Sequence, residues 1–181
     1  MRMVSLCIIL AVLVSLAAGC KGADTNAEDV KKYDVKLYYV NDEYVATGNE
    51  ALNQMQEPYE VSLQAKPEEV YAEALSKLKE SPLDGYDTML SQDVVIRSVK
   101  TKDGMAVVDF SSENLSGGSM EEGLLVSQVV LTLLDSFDTI QEVKFTLDGE
   151  DTDSLMGHVD VTKPFKLGNT GSGSKTVTIA E

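Results

Sequence analysis

Residues 119–149 read SMEEGLLVSQVVLTLLDSFDTIQEVKFTLDG, and the fold turns on this stretch. Ser119 with Glu122 three residues on is a capping-box pattern, which predicts a helix that starts here and runs to about Phe137. Leu124, Leu125, Val126, Val129, Val130, Leu131, Leu133 and Leu134 cover more than one face of that helix, so it is expected to be central and buried. Glu142–Leu147 then reads as a strand that stops at the turn pair Asp148–Gly149.

Upstream, Gly117–Gly118 breaks the chain before the helix. Before that break, Val94–Val99 and Met105–Phe110 form the clearest hairpin, joined across Lys102-Asp103-Gly104, since Asp-Gly supplies the backbone conformations of a tight turn. Pro67-Glu68-Glu69 opens a second helix, with acids at the positive end of its dipole and Lys77 and Lys79 at the negative end. Val70, Ala74, Leu75 and Leu78 fall on one stripe of it, and Pro82 and Gly85 end it. Val35–Val40 and Glu43–Ala46 are expected to form a hairpin around Asn41-Asp42, and Tyr59–Leu63 a further strand.

Downstream, His158–Val161 is the expected last strand of the domain. Strands in hairpins interspersed with two helices argue for a small α+β domain with a mixed, mostly antiparallel sheet. The folded unit is placed at residues 33–167, followed by a Gly/Ser-rich tail, 168–181, in which Thr176–Ile179 can add a short edge strand.

The 181 residues leave room for one compact domain with appendages. Hydrophobic residues make up 43% and charged residues 25%, which disfavours both wholesale disorder and a polytopic membrane protein. With 6% aromatics and no Trp, the core must be built from Val, Leu, Ile, Ala and Met, and aromatic platforms for sugars are improbable. Fifteen basic against 30 acidic residues give a net charge of −15, whose field repels phosphate backbones and so argues against nucleic acid as a partner. The two cysteines, Cys7 and Cys20, precede the folded unit, so it has no thiol for a disulfide or metal site.

Arg2, the apolar run from Met3 to Ala18, and the small residues up to Gly19 have the layout of a secretory signal peptide, residues 1–19. Leu-Ala-Ala-Gly-Cys at 16–20 resembles the lipobox of bacterial lipoproteins, with Ala17 where a larger aliphatic residue is usual. The resemblance implies that Cys20 is lipidated and becomes the mature N-terminus, anchoring the chain outside the cytoplasm on the cell membrane. Loss of residues 1–19 removes Arg2 and no acid, so nothing electrostatic holds the remainder to a bilayer. Two acyl chains, at about 0.8 kcal/mol per buried CH₂, supply that attachment. Residues 20–32 are the lipidated Cys and a flexible tether, small and polar, with a reach of up to roughly 40 Å.

The order of elements resembles the GerMN domain of bacterial spore germination and sporulation proteins, through about residues 35–166. The matching phrases are Lys36-Leu37-Tyr38-Tyr39, Glu73–Pro82, Ile96-Arg97-Ser98-Val99 and Ala106–Ser111. The strongest piece is Glu121–Gly149, followed by Gly157-His158 and Pro164. The chain departs from the family at Ser81-Pro82, where Gly-Pro is usual, and at Ser91-Gln92-Asp93, where a Pro-x-Gly turn is usual. The resemblance implies an extracytoplasmic, non-catalytic module at the cell envelope that works through protein or cell-wall contacts; members serve sporulation or germination and also occur in bacteria that make no spores, so the process does not follow from the domain.

Chemistry-bearing motifs are sparse. His158 is the single histidine and lacks the partners of a triad or a zinc site, so a structural role beside Gly157 is expected. Gly117-Gly118-Ser119 lacks the Lys of a phosphate-binding loop. The acidic run Asp148–Asp153 has oxygens for Ca²⁺, but Asp153 stands where an EF-hand needs Gly and Val159 where it needs Glu, so a solvated turn is expected. No catalytic residue, metal site or cofactor is assigned, and the ligand-binding residues are left open.

Three readings follow. The first is a lipid-anchored module that recognises an envelope protein or associates with itself; the second is a binder of peptidoglycan or another cell-wall polymer. The third is a wall hydrolase built on a carboxylate pair. Exposed hydrophobic surface favours the first, a polar cleft the second, and a cleft holding two carboxylates with raised pKa values the third.

Overall fold

The computed structural model describes residues 30–55, 58–169 and 175–181. The expected signal peptide, Cys20 and the tether as far as residue 29 lie outside the described residues. β1 (Lys31–Leu37) leads through β2 (Val40–Asn41) into α1 (Asp42–Thr47), and β3 (Tyr59–Ala65) returns antiparallel on β1 with Val35 opposite Val61. α2 (Val70–Lys77) follows, and its stripe Val70, Ala74, Leu75 and Leu78 is buried as expected. β4 (Tyr86–Asp87) pairs with β2.

The expected hairpin of Val35–Val40 with Glu43–Ala46 does not form. Asn41 instead caps α1, its Oδ1 accepting the amides of Glu43 at 2.9 Å and Tyr44 at 3.3 Å, with Asp42 and Glu43 at the positive end of the helix. Asn41-Asp42 has no following Gly to supply a second positive φ, and the capped turn takes the segment instead.

β5 (Ile96–Lys102) and β6 (Met105–Phe110) form the expected hairpin, turning through Asp103 at φ 51° and Gly104 at φ 82°. α3 (Ser119–Ser136) then carries the chain to β7 (Glu142–Leu147), which lies parallel to β6. A parallel pair needs such a crossover. β8 (Glu150–Asp151) folds back on β7, β9 (Phe165–Asn169) joins β7 antiparallel through Val143 opposite Phe165, and β10 (Lys175–Ile179) closes the row. The strand order is β10-β9-β7-β6-β5, giving the mixed sheet of an α+β fold.

Three further expectations are corrected. His158–Val161 is not a strand, because the His158 and Val159 amides donate to the Glu122 carboxylate and the Val161 amide to the Asp153 carbonyl, leaving no ladder to join. The expected box of Ser119 and Glu122 does not form: Gly118 is the N-cap and has no side chain to accept an amide, and the one bond there is the Gly118 amide donating to Glu121 Oε2 at 3.1 Å. A short third helix, α1, joins the two expected. β1 begins within the segment read as tether, and Thr176–Ile179 lies in the edge strand β10.

Candidate functional site

The main sheet has one covered and one open face. Side chains alternate along its strands, and Ala106, Val108, Phe110, Val143, Phe145 and Phe165 point into the core with Leu125, Val129 and Leu133 of α3. The Phe145 and Phe165 rings meet edge to face at 5.7 Å between centroids, which fixes the inward side of β7 and β9. The residues between them face the other way. Val107 is flanked by Lys100 on β5 and Lys144 on β7, Met105 by Lys102 and Glu142, and Asp109 by Ser98 and Thr146. Neither Val107 nor Met105 belongs to the core or packs against it. Lys166, next to Phe165 on β9, falls on the same outer side as Lys144.

One end of this face is cross-braced. Asp109 accepts the Thr146 hydroxyl at 2.9 Å and the Gly149 amide at 2.8 Å, which ties the β7–β8 turn to β6. The Arg97 guanidinium spans Asp109 at 3.3 Å and Asp148 at 3.1 Å. Hydrogen bonds from Ser112, helped by Arg97, hold the Asp148 carboxyl below its ordinary range. Lys144 pairs with Asp151 at 2.5 Å. The acidic run Asp148–Asp153 is thus a turn whose carboxylates at 148 and 151 pair with cations. Among the described residues no group of three or more His, Cys, Asp or Glu converges to hold a metal ion.

Two buried polar side chains of α3 position the loops around the sheet: Glu122, expected in a capping box, and Gln128, which the sequence reading did not single out. Glu122 Oε1 accepts the Ser154 hydroxyl at 2.7 Å and the amides of Leu155 at 2.8 Å and Met156 at 3.0 Å. Its Oε2 accepts the amides of His158 at 2.8 Å and Val159 at 3.1 Å. Burial opposes ionisation of this carboxyl, but the bonds from Met156, Ser154, His158 and Leu155 outweigh it and hold the pKa below its ordinary value. His158 therefore meets α3 through its backbone. Gln128 does the same for the segment before β5, its Oε1 accepting the Met89 amide at 3.0 Å. The signal lay in periodicity: Glu122 precedes Val126 and Val129 by one and two helical turns, on the buried stripe.

A shallow cleft of about 310 Å³ lies between β1, β3 and the end of α2. Leu37, Tyr39, Tyr59, Val61, Glu80 and Pro82 are among its walls, and Glu80 is the one carboxylate among the described residues that line it. The Tyr39 hydroxyl donates to the carbonyls of Lys77 at 3.1 Å and Glu80 at 3.2 Å. Burial, with Tyr59 and Glu80 nearby, pushes the Tyr39 phenol up to about 12. The free edge of β1 is closed by α3: Thr132 and Ser136 accept the amides of Tyr38 and Lys36, and Asp135 binds Lys36, Tyr38 and Lys175.

The sequence model of the Germane family, described as sporulation and spore germination, matches residues 36–153. The chain belongs to the Germane family. This Germane domain is similar to two solved structures. One is the first GerMN domain of the sporulation protein GerM from Bacillus subtilis, at 22% identity and a TM-score of 0.51, covering 71% of this chain and 92% of that one. The other is a protein from Clostridium perfringens assigned provisionally as a lipoprotein, at 19% identity and a TM-score of 0.50, covering 75% of this chain and 87% of that one. Both likenesses establish the shared fold. No curated protein matches the chain. Among the described residues no helix is long and apolar enough to cross a membrane.

Proposed function

We propose that this Germane protein is a non-catalytic interaction module at the bacterial cell envelope, held outside the cytoplasm by lipid on Cys20 and acting in sporulation or germination through contact with another envelope protein. The observation that carries this reading is the open sheet face. A sheet whose inner side packs on α3 while its outer side carries Val107 and Met105 between charged side chains of both signs, Lys100, Lys102, Lys144 and Glu142, is an ordered surface suited to a protein partner. The lipobox-like residues 16–20 and the family membership support the anchor and the process.

The test is chemical cross-linking of the anchored protein in its native membranes, with mass spectrometry of the adducts. Reproducible adducts to one or a few envelope proteins are the expected result. Adducts carrying muropeptides and no protein would overturn it in favour of wall binding. Cys20→Ser is expected to move the protein from the detergent phase to the aqueous phase, and persistence in the detergent phase would sink the anchor.

A further inference from the structure

We infer that β10 pairs antiparallel with β10 of a second copy of this chain, about a two-fold axis beside Thr178. The contact lies at the edge of the main sheet and does not depend on the docking of its outer face.

The row β10-β9-β7-β6-β5 ends in two edge strands. β5 is blunted as edge strands usually are: its register slips between Ile96 and Ser98, and Lys100 and Lys102 stand on it. β10 has no such device. Its register with β9 is unbroken from Lys175 to Ile179, and residues 176–180 carry no charge and no Pro. Thr176, Val177, Thr178 and Ile179 are all β-branched, the residue type that suits a paired strand.

Alternation along β10 fixes which groups face outward. The Ala180 amide donates to the Pro164 carbonyl at 2.8 Å, on the β9 side. Thr176 and Thr178 turn their backbone groups the same way, so Lys175, Val177 and Ile179 turn theirs to the free edge. The side chains of these three share the inner side of the sheet. Lys175 reaches Asp135 of α3, whereas Ile179, opposite Phe165, stays 44% exposed at the end of the row.

Pairing about Thr178 sets Val177 opposite Ile179 of the second copy and Lys175 opposite Glu181 of the second copy. The apolar pair covers the exposed Ile179. The charged pair completes an uneven cluster, because Lys36 and Lys175 share the one carboxylate of Asp135. Burial, and the charge of Lys36, hold the Lys175 ammonium below its ordinary pKa, an imbalance that a second carboxylate corrects. Glu181 is exposed and pairs with no cation among the described residues. An axis at Val177 would instead oppose Lys175 to Ile179 and leave Glu181 unmatched.

The match selects a second copy over an unrelated strand, since symmetry supplies both the apolar and the charged pair twice. The net charge of −15 does not oppose it: residues 163–181 hold three lysines and one acid, and the Debye length is about 8 Å at physiological ionic strength.

The experiment places Thr178→Cys or Thr176→Cys in the full-length chain in native membranes, oxidises with copper phenanthroline, and reads dimers on a non-reducing gel. The chain without either substitution gives the background. About the proposed axis Thr178 faces its own copy in a non-hydrogen-bonded pair, with Cα atoms about 4.5 Å apart, which a disulfide can bridge. Thr176 and its copy are roughly 13 Å apart, which it cannot. The expected result is a reducible dimer of twice the chain mass from position 178, severalfold above that from position 176. Glu181→Lys should lower the yield at 178 severalfold. No dimer from 178, or equal dimer from both positions, would overturn the pairing. A yield at 178 unmoved by Glu181→Lys would overturn the Lys175–Glu181 match and the axis with it. A disulfide adduct of another mass would overturn the second copy in favour of a different partner.

Discussion

Glu122 accepts four of the backbone amides of residues 154–159, and its removal should be felt throughout the domain. The carboxylate is fully buried and accepts four backbone amides and one hydroxyl, all between 2.7 and 3.1 Å. Glu122→Ala leaves those four amides without an acceptor. At about 1 kcal/mol each, the low end for a buried donor because the loop lies near water, the cost is about 4 kcal/mol. That is a large fraction of the roughly 5–15 kcal/mol that holds a domain of this kind together.

Glu122→Gln keeps one accepting oxygen but turns an NH₂ toward the donors on the other side, so about 2 kcal/mol is expected. Because the folded pKa of Glu122 lies below its ordinary value of 4.5, the carboxylate's contribution is complete above that pH and is lost as pH falls through the folded pKa. The stability gap between wild type and Glu122→Gln should therefore close below about pH 4.5. Urea unfolding followed by far-UV circular dichroism reads both, since the chain has no Trp. Hydrogen exchange should show faster amides at 155, 156, 158 and 159. A Glu122→Ala protein within about 0.5 kcal/mol of wild type, with those amides still protected, would refute the staple.

Leu133, with 0% exposure in the centre of α3, should cost about 2–5 kcal/mol when changed to Ala, measured by the same unfolding assay; a near-neutral result would move that face of the helix out of the core. Tyr39→Phe should remove a phenol that titrates near pH 12 in the ultraviolet spectrum, and an unchanged titration curve would deny the burial of that hydroxyl. Gly104→Ala places a Cβ at φ 82° with Gln141 3.6 Å away, so about 1–2 kcal/mol of backbone strain is expected with the fold retained. Equal stability of that variant would mean that the β5–β6 turn relaxes.

The sequence was most legible where local chemistry and tertiary packing agree. Asp103-Gly104 and Asp148-Gly149 both turn with positive φ as their residue types demand, and the apolar rows of α2 and α3 are buried. It was least legible where a long-range contact decides a local state. His158–Val161 has strand-like composition, yet its amides are claimed by a carboxylate about 36 positions away. Asn41-Asp42 resembles a hairpin turn, but the true partner of β1 is β3, and Asn41 is free to cap a helix. The open face could not be read in advance, because it exists only once β6 and β7 are parallel neighbours. That pairing sets Val107 between Lys100 and Lys144, residues 37 positions or fewer away along the chain, and no local pattern encodes it.

The central claim is that the outer side of the sheet is covered by a partner in the envelope. It is tested most directly by comparing the rate at which each lysine is acetylated in intact membranes with its rate in the purified domain. The account predicts that Lys100, Lys102 and Lys166 are slowed severalfold in membranes while the part-exposed Lys66, on the turn before α2, labels equally in both. Equal labelling of the three sheet lysines in the two settings would contradict it.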